Sequence, residues 1–444
     1  MTLWIYNTAK HIKEEFVPLQ PGKVGIYACG VTVYDLCHIG HARSALVFDV
    51  LVRYLRARGL DVTFVRNFTD VDDKIINRAR ELGKEPQDIA EQYIRAYYED
   101  MDRLGIMRAD VEPRATQHIA GMLAMIRTLI AKGHAYAEGS DVYFSIESFK
   151  EYGGLSGRKL DDMQAGSRVA VDERKRHPMD FALWKGAKPG EPQWPSPWGP
   201  GRPGWHIECS VMSAQYLGET FDIHAGGADL LFPHHENERA QSLAATDGRF
   251  ARYWMHNGML DINAEKMSKS LGNFITIRDA LKTYHPEVLR LFFLSKHYRS
   301  PLDFTPADVG EIQSALVRIY RTLERLDSLI DPVQDQDRLS PVGSLAQEPS
   351  EPFLKSFIEN MDDDLNTAGA LGLVFEKVKE WNRILDGIKG PVDNETRARL
   401  QADRRHLLLA GRIMGLLNQT PVDFFKELAT ASAKNTDAVQ IEKL

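Results

Sequence analysis

Two cysteines, a histidine and a glutamate stand out first, because their donor atoms suit a borderline-soft metal ion. Cys29 ends an apolar stretch, and Cys209 lies in Gly204-Trp205-His206-Ile207-Glu208-Cys209. His234 and Glu238 lie in Phe232-Pro233-His234-His235-Glu236-Asn237-Glu238. Positions i and i+4 set His234 and Glu238 on one helical face, with Pro233 in the expected first turn. Two thiolates, an imidazole and a carboxylate form a zinc-type donor set. The spacings match no compact zinc-finger pattern. The residues alone therefore leave a second reading open, with both cysteines as small buried apolar groups and His234 and Glu238 as ordinary helix-surface residues. His206, His224 and His235 are rival ligands that periodicity does not exclude.

A second set points to phosphate chemistry. His38-Ile39-Gly40-His41 sits on the turn into a helix, where free N–H groups and the positive end of the helix dipole face anions. Gly40 admits a close approach by adenine or backbone. His38 and His41 can donate to phosphate oxygens as charge builds in a transition state. Farther along, Lys266-Met267-Ser268-Lys269-Ser270 precedes Gly272 and reads as a mobile basic loop able to close on a leaving pyrophosphate. Either string alone recurs by chance, and a Lys/Ser loop is usually a solvated turn. Both together, in this order, point to a nucleotide site.

The elements that position these groups follow from periodicity. Residues 23–29 read as a strand stopping at Gly30, residues 40–55 as a helix with Ala45, Leu46, Phe48, Val50, Leu51 and Leu55 on its apolar face, and residues 61–68 as a second strand. This strand, helix, strand order predicts a βαβ unit and a parallel sheet. Helices are expected over 88–104 and 116–132. Residues 142–205, with short strands, a charge cluster at 172–176 and a Pro/Gly/Trp-rich run, read as an insertion that splits the sheet domain. The sheet resumes near 221–224 and 254–256, and from about Pro306 the pattern is helical, interrupted by a polar connector over 327–352. Arg318, Arg321 and Arg325 could meet nucleic-acid phosphates, with a solvated helix face as the equal alternative. Asp362-Asp363-Asp364 reads as a helix start or a surface run.

Bulk properties narrow the class. A chain of 444 residues calls for two or three domains. Its 55 basic and 62 acidic residues give a net charge of -7, which argues against nonspecific coating of nucleic acid. Three widely spaced cysteines make a poor disulfide framework. Neither a secretory signal nor a membrane-length apolar run is visible, so a soluble cytoplasmic protein is expected.

The paired strings resemble the signatures of class I aminoacyl-tRNA synthetases and, within that class, the cysteinyl-tRNA synthetase family. The likeness is carried also by residues 27–35, 66–74, 204–209 and 232–238, and extends over about residues 1–420. It implies an α/β fold: a Rossmann-like parallel-sheet catalytic domain split by an insertion and followed by an α-helical bundle. The implied divisions are 1–110 and 206–252 for the two catalytic halves, 111–205 for the insertion, 253–308 for a stem-contact region bearing the Lys-Met-Ser-Lys-Ser loop, and 309–444 for a tRNA-binding bundle. The resemblance makes Cys29, Cys209, His234 and Glu238 the ligands of one Zn²⁺ per chain, and His38, His41, Lys266 and Lys269 the catalytic groups. Gly30, Thr32, Gly40 and Ser268 join them around ATP, which arrives with Mg²⁺; Thr69, Trp205 and Asp229 line the cysteine and adenylate pocket. The implied partners are tRNA(Cys), ATP and L-cysteine, with a monomer expected and no membrane. The family usually carries a small anticodon-binding module beyond the bundle, whereas this chain stops at Leu444 in a polar stretch from Ala431. Two other readings share these residues: a ligase joining cysteine to an amino-sugar, from which Glu238 departs, and a non-catalytic tRNA-binding paralogue, for which degraded signatures would be expected.

Overall fold

The computed structural model describes residues 2–158, 174–267, 272–330, 345 and 351–430. Ser268 and Lys269, Asp172 and Glu173 of the charge cluster, most of the polar connector and the 431–444 tail lie outside the described residues.

A hairpin of β1 (Trp4–Asn7) and β2 (Ile12–Glu15) precedes β3 (Lys23–Thr32), α1 (Ile39–Ala57) and β4 (Asp61–Thr69), the βαβ unit that the periodicity predicts. β3 does not stop at Gly30. It continues to Thr32, with a break in its pairing to β4 between Ala28 and Val31. α2 (Asp73–Leu82), α3 (Pro86–Arg103) and α4 (Ile119–Ala131) follow. The insertion then forms an antiparallel sheet of β5 (Ala135–Glu138), β6 (Asp141–Phe144), β7 (Phe181–Gly186) and β8 (Gly201–Pro203). α5 (Trp205–Leu217), β9 (Phe221–Gly227), α6 (Glu236–Thr246) and β10 (Ala251–Asn257) return the chain to the first sheet. That sheet is parallel throughout, in the order β10-β9-β3-β4. The chain leaves β3 toward β4 on one side and comes back as β9 on the other. The crevice at the carboxyl ends of β3 and β9 is therefore a topological switch point, where open α/β sheets bind ligands.

A small sheet of β11 (Leu260–Ile262), β12 (Glu265–Lys266) and β13 (Leu302–Phe304) surrounds α7 (Ile277–Thr283) and α8 (Pro286–Leu294) in sequence. The helical region comprises α9 (Pro306–Asp327), α10 (Pro352–Asp362), α11 (Thr367–Gly387) and α12 (Asn394–Ile413), with residues 421–430 also helical. Leu316, Ile319, Tyr320, Leu323 and Leu326 of α9 are buried on one face, as their spacing requires. α1 is buried along almost its whole length because it is wedged between the parallel sheet and helices α8 and α12.

Buried charge binds these layers. Asp49 in α1 receives Arg53 Nε at 2.9 Å, Met107 N at 3.0 Å and the guanidinium of Arg290 from α8. Arg290 donates onward to the carbonyls of Met414, Leu104 and Gly105. The Asp362-Asp363-Asp364 run is neither a helix start nor wholly at the surface. It ends α10, and only Asp363 is exposed. Asp362 accepts from Tyr54 and Arg58 of α1, while Asp364 accepts from Tyr6 N, Tyr298 Oη and Arg299 Nε. These contacts turn an apparent surface patch into a junction between the bundle and the sheet domain.

Burial alone would raise the Asp49 carboxyl, but Arg290 and Arg53 outweigh it and hold the group below its ordinary value. Asp49→Asn should therefore cost about 3–5 kcal/mol in chemical denaturation near neutral pH, since it strands Arg290 out of water. A depressed carboxyl contributes stability in full above its unfolded value of about 3.9 and loses it as pH falls through the folded value. Native and variant stabilities should thus converge in acid, and a gap that stays constant down to pH 3 would contradict this role.

Candidate metal centre and nucleotide cleft

Strand ends and helix starts bring the predicted donors together. Cys29 comes from the end of β3 and Cys209 from the second turn of α5. His234 and Glu238 come from the segment entering α6. Pro233 is not in the first turn of that helix: it follows a cis bond within Leu231–His235, Phe232 is extended, and regular helix begins at Glu236. The i, i+4 contact survives this kink, with His234 Nε2 at 2.8 Å from Glu238 Oε1. One donor atom from each of Cys29, Cys209, His234 and Glu238 lies within 4.8 Å of the others.

The spacing suits a four-coordinate ion. Legs of about 2.0–2.3 Å give a tetrahedron edges of about 3.3–3.8 Å. Cys29 Sγ lies 3.7 Å from Cys209 Sγ and 3.3 Å from Glu238 Oε1, and Cys209 Sγ lies 3.7 Å from His234 Nε2. The His234–Glu238 contact is tighter, as a direct N–H to carboxylate bond. Cys29, His224, His235 and Glu238 form a second group within the same limit. His235 Nδ1 is already engaged with His256 Nε2 at 2.8 Å, and His256 Nδ1 with Thr8 Oγ1 at 2.9 Å.

The electrostatics favour a positive guest. Burial pushes the Cys29 thiol and the Glu238 carboxyl well up. Burial also opposes the Cys209 thiolate, but a hydrogen bond from Cys29 and the proximity of His234 bring that thiol below its ordinary value. Glu238 Oε2 accepts no hydrogen bond among the described residues, although His224 Nε2 is 3.3 Å away. The surrounding imidazoles offer no compensating charge, since burial holds His206, His224, His235 and His256 below their ordinary values. Trp205 stacks on His234 with ring centres 4.0 Å apart, and His206 Nδ1 sits 2.9 Å from His234 Nδ1. The donors thus fit a dication in number, softness and spacing.

The same crevice opens into a cleft of about 480 Å³ at the switch point. Cys29, Gly30, Thr32, His38, Gly40, His41, Trp205, Asp229 and Lys266 all line it. Thr69 does not: it is buried and donates to Glu208 Oε2 at 2.9 Å. At the start of α1, His38 Nδ1 accepts from Gly40 N at 3.1 Å and His41 Nδ1 accepts from His38 N at 3.2 Å. Both Nδ1 atoms are thereby spent as acceptors, which puts the proton of each ring on Nε2. The rings stack 3.7 Å apart, and burial, aided by His38 and Lys74, keeps His41 neutral by lowering its pKa well below the ordinary value. A Cβ on Gly40 would lie 2.9 Å from the His38 ring, and one on Gly30 only 1.6 Å from the Asn67 carbonyl. Both positions require glycine for close approach rather than for a turn.

Lys266 projects from β12 on the facing wall. Beyond its loop the chain returns along the signature turn, with Ile39 N donating to Ile275 O at 3.1 Å and Ile277 N to Cys37 O at 2.9 Å. Periodicity gave no hint of Asn67, which accepts from Gly30 N at 2.9 Å and faces Cys209 Sγ at 3.8 Å. It also missed Lys74, which lies over the Tyr34 ring at 5.3 Å and lines the cleft. A lysine in the first turn of α2, against the helix dipole, is the local oddity that could have drawn notice. On the bundle, Arg318 and Arg321 are exposed, while Arg325 is engaged with Asp386 at 2.7 Å.

Comparison with known proteins agrees with this architecture. The profile described as tRNA synthetases class I (C) catalytic domain matches residues 15–314, and the DALR domain profile matches residues 356–418. The cysteine--tRNA ligase of Syntrophobacter fumaroxidans is 54% identical over 100% of this chain and 91% of its own length. That of Pelobacter propionicus is 54% identical over 98% of this chain and 89% of its own. Among solved structures, a Mycobacterium tuberculosis methionyl-tRNA synthetase in complex with methionyl-adenylate superposes with a TM-score of 0.62 at 14% identity, covering 88% of each chain.

Proposed function

We infer, from the premise that this chain belongs to the cysteine--tRNA ligase family of class I synthetases, that it activates L-cysteine with ATP and then esterifies tRNA(Cys). The observation that carries this reading is the convergence of a soft donor set and a nucleotide-type helix start on one cleft.

Cys29, Cys209, His234 and Glu238 would hold the zinc ion, the two sulfurs making this set softer than the alternative through His224 and His235. When bound, the ion supplies a soft Lewis-acid position for the substrate's sulfur, which a serine hydroxyl matches poorly. A contact of that specificity rejects an analogue lacking it by about 10⁴–10⁵, enough to dispense with editing. Trp205 fixes the plane of His234 and closes the apolar side of the pocket. Asp229, which also lines the cleft, suits the substrate's ammonium group.

The remaining chemistry is nucleophilic attack by the cysteine carboxylate on the α-phosphorus of ATP, which expels pyrophosphate. No proton needs to be abstracted, so acceleration comes from positioning and charge stabilisation. His38 and His41 donate through Nε2 to phosphate oxygens, and Gly30, Thr32 and Gly40 allow the nucleotide against the sheet end. Lys266 and Lys269 would neutralise the departing pyrophosphate, with the Ser268 hydroxyl a hydrogen-bond donor to it, while Mg²⁺ enters with ATP as part of the substrate. Transfer to the terminal ribose of tRNA follows. The 253–308 region and the bundle from 309 would carry the tRNA, a reading supported for the bundle by its DALR match at residues 356–418. No helix among the described residues is long and apolar enough to cross a membrane; a cytoplasmic monomer is the arrangement this reading adopts.

Cysteine-dependent ATP–pyrophosphate exchange, with serine as control and with tRNA(Cys) and an amino-sugar compared as acceptors, tests the whole reading. Exchange with serine equal to that with cysteine, or transfer only to the amino-sugar, would reject it. Cys209→Ala should lose bound zinc, measured by elemental analysis, together with most of the cysteine-over-serine preference; a variant retaining both would overturn the ligand assignment. Lys266→Ala should lower the exchange rate about 10–100-fold with little change in KM for cysteine, as expected for a group acting on the transition state. An unchanged rate would remove Lys266 from that role.

A further inference from the structure

We propose that Arg43 is a positioning residue that locks the Lys266 strand pair against the helix bearing His38 and His41. Arg43 lies in α1, one residue after Ala42 and two after His41, and its side chain is completely buried. It forms no ion pair with any described residue. Its guanidinium is spent instead on main-chain carbonyls: Nη1 donates to Gly258 O at 2.8 Å and Met259 O at 2.6 Å, and Nη2 to Tyr298 O at 3.4 Å and Ser300 O at 2.5 Å.

Those four carbonyls have a common meaning in the fold. Gly258 and Met259 join the end of β10 to the start of β11, and β11 pairs with β12, on which Lys266 sits. Ser300 precedes β13, the other neighbour of β11. One cation therefore gathers both approaches to the small sheet and ties them to the helix turn that carries the histidines. Beyond the loop, the backbone bonds of Ile39 and Ile277 already fasten the chain to the same turn. Arg43 supplies the matching attachment on the Lys266 side of residues 268–271.

Physical cost argues that the arrangement serves placement. A buried guanidinium that makes no direct carboxylate contact is expensive: burial lowers the Arg43 pKa to about 10 against the opposing charge of Asp261 on β11, and Nε finds no partner among the described residues, so the two Nη groups carry its whole attachment. Apolar packing could have joined helix to sheet at lower cost. A planar fork that reaches four fixed carbonyls gives a defined distance and angle, which a flexible ammonium does not reproduce. Misplacement by about 1 Å between phosphate-binding groups can cost about 10²-fold in rate. The inference rests on the proposed ATP role of Lys266.

The test is a double-mutant cycle in ATP–pyrophosphate exchange with Arg43→Lys, Lys266→Ala and the pair. Arg43→Lys should lower kcat about 10–100-fold, with KM for cysteine changed less than about twofold, because the donor set at the floor of the cleft is untouched. In the Lys266→Ala background the same substitution should cost less than about threefold, since the group it positions is gone. Arg43→Gln, which keeps two donors without the charge, serves if the lysine variant melts early. Full additivity of the two losses, or undisturbed exchange by folded Arg43→Lys, overturns the proposal. If Lys266→Ala alone leaves exchange intact, the ATP reading fails instead, and Arg43 then stands or falls on whether its single variant separates kcat from KM.

Discussion

Burying several ionisable donors in one small space constrains everything else in this molecule. Two thiols, a carboxyl and a cluster of imidazoles share the floor of the cleft, where water cannot screen them. Isolated buried charges cost several kcal/mol each, so such a group either stays protonated or receives a counter-charge. His206, His224 and His235 do not supply one, because burial holds each of them well below its ordinary value. A positive ion from outside is the simplest balance, and the distances between sulfur, nitrogen and oxygen leave room for one. The rest of the fold reads as the machinery that brings these donors together. β3 must run past Gly30 with a bulge, so that Cys29 faces the crevice. The kinked entry to α6 must present His234 and Glu238 along one side.

The nucleotide half obeys a different constraint, that of rigid registration. α1 carries His38 and His41 at its first turn, Arg43 in its second, Asp49 at its middle and Arg58 at its end. Each contacts a different layer: the cleft, the small sheet, α8 and the bundle respectively. A helix held at so many points along its length moves little relative to any of them. Tyr298 bonds Asp364 through its hydroxyl and Arg43 through its carbonyl, so the bundle junction and the signature turn are joined by consecutive hydrogen bonds.

What could be read from the chain was what local physics determines. The βαβ unit followed from period, and the helix-start signature followed from residue types with known uses at such a turn. The i, i+4 pairing of His234 with Glu238 was legible because a helix-like entry enforces it even across the kink. Other features depended on partners distant in sequence. The path of β3 beyond Gly30 depends on the Asn67 carbonyl and side chain, a neighbour only in the folded sheet. Asp362 and Asp364 looked like surface acids because Tyr54, Arg58, Tyr298 and Arg299 are far away along the chain. The resemblance places Thr69 in the pocket, yet its hydroxyl turns to Glu208, whose buried carboxyl needs a donor. Arg43 gave no sign at all, since its acceptors are main-chain carbonyls that carry no residue identity.

Fold alone does not choose the amino acid. The same layered architecture, at 14% identity, occurs in a methionyl-tRNA synthetase captured with methionyl-adenylate, so the fold is compatible with more than one amino acid. Choice must therefore lie where this chain differs chemically from a generic apolar pocket, and the difference is concentrated at the ends of β3 and α5 and at the entry to α6. A hydrophobic pocket separates side chains that differ by one small group only modestly. Sulfur and oxygen differ little in shape but greatly in softness. On the proposed function, an ion held between the two sulfurs would act on that larger difference, beside a wall fixed by the Trp205–His234 stack.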